Sequence, residues 1–182
     1  MNLAARILNA FGWKVSVTVP DCPKCIICVA PHTSNWDFLW GKLAYASVGR
    51  KAGFLMKESW FFWPMKYLFR AMGGIPVPRR KGSSLTDAII EKYRTESRLT
   101  LAITPEGTRS RTSRWRTGFL RIANGAGIPI MLGVIDYEKK LILIEDEFIP
   151  TGDIDADMRS IKRFYRPFKG KYPRNFSTDE EE

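Results

Sequence analysis

The sequence predicts an α/β domain, with a mostly parallel central sheet flanked by helices. Three observations lead there. Apolar runs at residues 25–30, 99–103 and 128–135 read as buried strands. Segments with helical spacing stand between them, and strands alternating with helices imply a sheet covered on both faces. His32, the only histidine in 182 residues, directly follows the first run. It therefore sits at the carboxyl end of a strand, where open α/β sheets tend to place ligand sites.

The elements follow in order. Leu3, Ile7, Leu8, Phe11 and Trp13 have roughly helical spacing. That helix is too short to cross a bilayer, and either lies on one or packs on the domain. Residues 15–19 alternate as a short strand, and the strand 25–30 leads into His32. Trp36, Phe38, Leu39, Trp40, Leu43, Ala44 and Val48 mark a helix over 36–48. Residues 53–56 read as a strand. Residues 60–70 hold Trp60, Phe61, Phe62, Trp63, Tyr67 and Phe69 beside Lys66 and Arg70. So many rings fit either core packing or an interfacial surface. Pro64 suits the first turn of a helix there.

Gly73-Gly74 breaks the pattern. The two prolines of residues 75–78 predict an edge or a loop. Ser84-Leu85-Thr86-Asp87 is a capping box that opens a helix to about residue 97. The strand 99–103 runs into a loop over 104–110. A helix over 119–126 ends at glycines. Strands at 128–135 and 141–144 pair through a turn at Glu138-Lys139. Asp153 caps a last helix to about residue 165, and residues 179–182 read as a loose tail. No repeat or linker interrupts residues 1–182, so the chain forms one domain. Residues 1–14 are its interface or packing helix, 28–135 its motif-bearing core, and 151–182 its basic C-terminal helix and tail.

Composition narrows the partners. The chain carries 29 Lys and Arg against 19 Asp and Glu, a net charge of +10. That implies an anionic partner: nucleic acid, anionic lipid, a phosphorylated substrate or an acidic carrier protein. Basic residues cluster over 109–121 and again over 159–174, which together suggest an extended anionic contact. No run of 18 apolar residues reads as a spanning helix, and the amino end lacks a signal-peptide layout. Cys22, Cys25 and Cys28 have a spacing that invites a metal, but they lack the fourth ligand that structural zinc wants. The odd count supports no disulfide framework and points to a reducing cytosol.

Two loops carry the candidate chemistry. In Pro31-His32-Thr33-Ser34-Asn35-Trp36-Asp37, Asp37 lies in the first turn of the helix. It either reinforces a helix cap or pairs with His32 and fixes its tautomer, which suits deprotonating a hydroxyl. Glu106-Gly107-Thr108-Arg109 also follows a buried strand, so the two loops plausibly meet over one sheet edge. Arg109 offers a planar fork for a phosphate or carboxylate. Glu106 can accept hydrogen bonds from a polyol or steady nearby donors. The sequence lacks a G-x-S-x-G elbow, a P-loop and a G-x-G-x-x-G motif. The chemistry therefore rests on one histidine, and a covalent acyl-enzyme is not required.

His32 and Asp37 reproduce the H-x4-D motif of the glycerolipid (1-acylglycerol-3-phosphate or lysophospholipid) acyltransferase family. Three further blocks follow in that family's order: Gly74-Ile75-Pro76-Val77-Pro78-Arg79, Pro105-Glu106-Gly107-Thr108-Arg109-Ser110 and Ile128-Pro129-Ile130. The resemblance implies a glycerol-3-phosphate acyltransferase-like fold. It implies transfer of a fatty acyl group from acyl-CoA or acyl carrier protein to the hydroxyl of a lyso-lipid, with no metal or other cofactor. His32 would be the general base and Asp37 its orienting partner. Arg79, Glu106, Gly107, Thr108 and Arg109 would hold the acceptor, with Arg109 on its phosphate. The chain departs from the family at Pro31, where many relatives have asparagine, and in the second block, which lacks the usual aromatic and aspartate. It resembles a compact, monotopic or peripheral bacterial member on the cytoplasmic face of the inner membrane. The partners so implied are a lipid acceptor, the acyl donor and a membrane surface, not nucleic acid. The rival reading is a basic nucleic-acid- or membrane-surface-binding module without catalysis, which gives His32 and Asp37 no role.

Overall fold

A computed structural model describes residues 2–77 and 84–179. Its centre is a five-stranded sheet built from β1 (Lys14–Val17), β2 (Lys24–Ala30), β5 (Leu99–Ile103), β6 (Ile130–Asp136) and β7 (Leu141–Phe148). Their order is β1-β7-β6-β2-β5. Every neighbouring pair is parallel except β6 and β7, which form the expected hairpin. β2 pairs Cys28 with Ile103 of β5 and Ala30 with Val134 of β6. Strands β5, β2 and β6 therefore run the same way, and their carboxyl ends deliver three loops to one edge.

The continuous apolar character of β2 follows from cover on both faces. Ile26, Cys28 and Ala30 point into a core completed by α4 (Leu85–Thr95), α5 (Gly118–Ala126) and α6 (Ile154–Tyr165). Cys25 and Ile27 point the other way. That face is covered by α1 (Leu3–Ala10) and α2 (Trp36–Ser47), through Leu8, Trp13, Trp40 and Ala44. The amino-terminal helix thus packs on the domain. Asn2 Nδ2 fastens it to the last turn of α2, 2.9 Å from the Ala46 carbonyl, and Leu8 is buried.

Cys25 and Cys28 face opposite cores, so the three cysteines cannot converge on a metal. Burial pushes the Cys25 thiol up to about 11 and Cys28 higher still. Among the described residues, no group of three or more His, Cys, Asp or Glu could hold a metal ion.

Residues 75–78 were expected as an edge or loop. The structure makes β4 (Gly74–Val77) a strand, parallel to β3 (Phe54–Lys57) in a second, two-stranded sheet. Every strand of such a sheet is an edge, which is how Pro76 is tolerated. Gly53 joins this sheet to the main one: its N–H donates to the Thr100 carbonyl, and its carbonyl accepts from Ala102. A Cβ at Gly53 would stand 2.8 Å from Ile75 Cδ1.

The capping-box expectation is corrected. Ser84 precedes α4 but makes no side-chain cap bond. Of the expected tail only Asp179 is described, and its carboxylate accepts from Arg111 Nη2 and Ser177 Oγ; residues 180–182 lie outside the described residues. Within the basic stretches, Arg111 is paired with Asp179, and Lys162 is buried, donating to the Ser113 and Asp179 carbonyls. The aromatic stretch, in contrast, is not core. α3 (Met65–Ala71) has no buried residue, and Trp60, Phe62, Trp63, Tyr67 and Leu68 are exposed. No helix among the described residues is long and apolar enough to cross a membrane.

Candidate active site

His32 leaves the carboxyl end of β2, and the chain then turns into α2 within four residues. Its ring Nδ1 lies 3.1 Å from Asp37 Oδ2. Asp37 is 3% exposed, and both oxygens of its carboxylate are hydrogen-bonded. Oδ2 also accepts from the Thr33 and Ser34 amides, each at 2.8 Å. Oδ1 accepts from the Tyr137 hydroxyl at 2.6 Å. The carboxylate thus lies within reach both of the amides before the helix and of the imidazole. One carboxylate organises the turn that starts the helix and holds the imidazole. A carboxylate only accepts, so a hydrogen bond at this distance calls for the ring proton on Nδ1, with Nε2 turned away from Asp37.

Tyr137 was not visible in the sequence as a site residue. It follows β6, and the parallel β2–β6 pairing carries it to the same edge as His32. The available signal was weak: a hydroxyl just past an apolar strand. Burial, with Asp37 beside it, raises its phenol well above the ordinary 10.0, so it remains a donor.

The two predicted loops do meet. Glu106 Oε1 accepts from the His32 amide at 2.8 Å. Glu106 is 4% exposed, and this bond ties it to the loop that carries the histidine. Burial raises its carboxyl from 4.5 to about 7. Its other oxygen, Oε2, is buried without a hydrogen-bond partner. Gly107 turns the loop at φ 63°, with Arg116 Cγ where a Cβ would need 3.1 Å; a left-handed turn against a packed side chain suits glycine.

Arg109 reaches the start of α2, where Nη1 donates to Asn35 Oδ1. Its carbonyl accepts from Asn175 Nδ2 at 3.1 Å. Asn35, Tyr137 and Asn175 therefore join the site without having been read from the sequence. Arg79 lies outside the described residues.

Two hollows open on His32. One is a cavity of about 460 Å³ between α2 and the sheet, walled by Val29, Phe38, Tyr45, Phe54, Leu55 and Ile103 as well as His32 and Asp37. The other, about 360 Å³, is polar and is lined by His32, Thr104, Gly107, Thr108, Arg109 and Ser110. The imidazole stands where an apolar compartment meets a polar one that carries a guanidinium.

A family model described as Acyltransferase matches residues 18–134. No curated protein sequence matches the chain. Among solved structures, the fold is similar to that of the 1-acyl-sn-glycerophosphate (LPA) acyltransferase PlsC from Thermotoga maritima. The TM-score is 0.56 at 19% identity, over 90% of this chain and 76% of that one.

Proposed function

We propose that this chain, which belongs to the acyltransferase family, moves a fatty acyl group from a thioester to the hydroxyl of a lyso-lipid that carries phosphate. The observation that carries this reading is the placement of His32 between an apolar cavity and an Arg109-bearing polar hollow. A fatty acyl chain suits the first compartment and a phosphorylated glycerol backbone the second. The similarity in fold to the 1-acyl-sn-glycerophosphate acyltransferase PlsC supports that reading.

In the proposed reaction, His32 Nε2 removes the proton from the acceptor hydroxyl as its oxygen attacks the thioester carbonyl. The tetrahedral intermediate collapses, the C–S bond breaks, and the imidazolium returns its proton to the thiolate. Asp37, held by two amides and Tyr137, keeps the ring in place and balances its charge. The Thr33 and Ser34 amides are already bound to Asp37, so they are not free to serve the oxyanion. Arg109 holds the phosphate. The mechanism needs no metal. The thiol carrier is coenzyme A or an acidic acyl carrier protein, both of which suit a chain of net charge +10.

The exposed rings at Trp60, Phe62, Trp63 and Tyr67 support a peripheral or monotopic position on a lipid surface, where such side chains sit at headgroup depth. We place that surface at the cytoplasmic face of a bacterial inner membrane.

The test is thiol release from acyl-CoA and acyl carrier protein donors, with lysophosphatidate and uncharged lyso-lipids as acceptors. Acceptor-dependent release that His32→Ala abolishes, at matched circular dichroism, is the expected outcome. Release that survives His32→Ala overturns the mechanism.

A further inference from the structure

The family match ends at residue 134, yet the chain beyond it returns to the active site. We infer that residues 169–175 are a brace that sets the position of the His32 loop, with Gly170 and Tyr172 as positioning residues. The inference rests on the acyltransferase reading only for its kinetic arm.

The segment is pinned on both sides of the site. Before it, the Tyr165 hydroxyl donates to the Cys28 carbonyl at 2.5 Å, in the strand that carries His32. After it, the Trp115 indole N–H donates to the Ser177 carbonyl at 3.1 Å, and the Lys162 ammonium to the Asp179 carbonyl at 2.8 Å. Between these anchors the segment reaches all three catalytic-edge loops, twice through its backbone and once through a side chain. The Lys169 carbonyl accepts from the Tyr137 amide at 2.9 Å. The Tyr172 amide donates to Thr33 Oγ1 at 3.2 Å. Asn175 Nδ2 donates to the Arg109 carbonyl.

Gly170 makes the closest approach. A Cβ there would stand 2.6 Å from Thr33 Oγ1, 2.8 Å from Thr33 Cγ2 and 3.2 Å from Pro31 Cβ. Pro31 and Thr33 flank His32 in sequence, and Thr33 is 3% exposed. A methyl group at Gly170 has no empty space to enter. It must push on the loop whose amide and imidazole meet Asp37.

His32 is the only histidine, so its ring signals in nitrogen-15 NMR need no assignment and report its environment directly. Gly170→Ala should shift those signals. In the acyl-transfer assay it should lower kcat about 10- to 100-fold, as small misplacements of a reacting group do, with KM changed by less than about twofold. Adding Thr33→Ser, which removes the Cγ2 in the way and keeps the oxygen that Tyr172 bonds, should recover part of both effects. Thr33→Val keeps the side-chain shape and removes that oxygen. It should shift the ring signals and lower kcat by about three- to tenfold, the worth of one hydrogen bond; it also decides the matter if Gly170→Ala does not fold. Ring signals that stay at their wild-type positions in the folded variants, whatever happens to thermal stability, overturn the brace. Absence of acyl transfer by the wild type counts against the proposed function and leaves the NMR test standing.

Discussion

The Tyr137 hydroxyl donates to Asp37 Oδ1 at 2.6 Å, across 100 residues of sequence. It completes the shell of a buried carboxylate whose other oxygen holds the imidazole and two amides. Tyr137→Phe removes one donor without changing the ring. Leaving a buried carboxylate oxygen short of its partner costs on the order of 1–3 kcal/mol. The expected result is a stability loss of that size in urea denaturation. The kcat should fall about tenfold at little-changed KM, because the loss falls on the orientation and charge of the imidazolium.

Glu106 predicts a pH dependence of stability. Its carboxyl is raised by burial from 4.5 to about 7 in the folded chain. Between those values the folded state holds a proton that the unfolded state has released. Stability from this group is therefore full below about 4.5, falls as pH rises toward 7, and is lost above it. The full span is on the order of 3 kcal/mol. Glu106→Gln keeps an oxygen for the His32 amide and abolishes the titration. Denaturation midpoints of wild type and variant, followed from pH 4 to 8, should diverge in the variant's favour as pH rises. Parallel curves would remove the claim.

Arg109 faces the polar hollow and is held at the start of α2 by Asn35. Arg109→Ala should raise KM for a phosphate-bearing acceptor by about 10- to 100-fold, the worth of a charge-assisted pair. For an uncharged lyso-lipid the KM should barely change. Arg109→Lys should recover only part of the loss, because the planar fork is gone. Equal losses on both acceptors would mean that Arg109 supports the loop and does not read the phosphate.

Trp60 and Trp63 are 56% and 76% exposed. Replacing both with alanine removes little packing, so stability should change by less than about 1 kcal/mol. Binding to vesicles of anionic phospholipid, measured by co-sedimentation, should weaken at least about tenfold, since large rings dominate interfacial burial. Unchanged sedimentation would move the lipid-facing surface elsewhere.

The local features of this protein were legible without coordinates. Alternating apolar runs predicted the parallel sheet, because a strand covered on both faces must be apolar throughout. The spacing of His32 and Asp37 offered the pair as one of two readings, because both residues belong to one strand-to-helix turn. Even the meeting of the His32 and Glu106 loops followed from two strands pointing the same way. Composition counted every charge in the basic clusters alike and does not say that Lys162 is buried or that Arg111 is already paired. Tyr137 over Asp37, Gly170 against Thr33 and the buried side of Glu106 were decided only by the tertiary structure. Each depends on strand order and register, or on the path of a segment far along the chain. Those are settled by how the whole core closes, and no local periodicity encodes them.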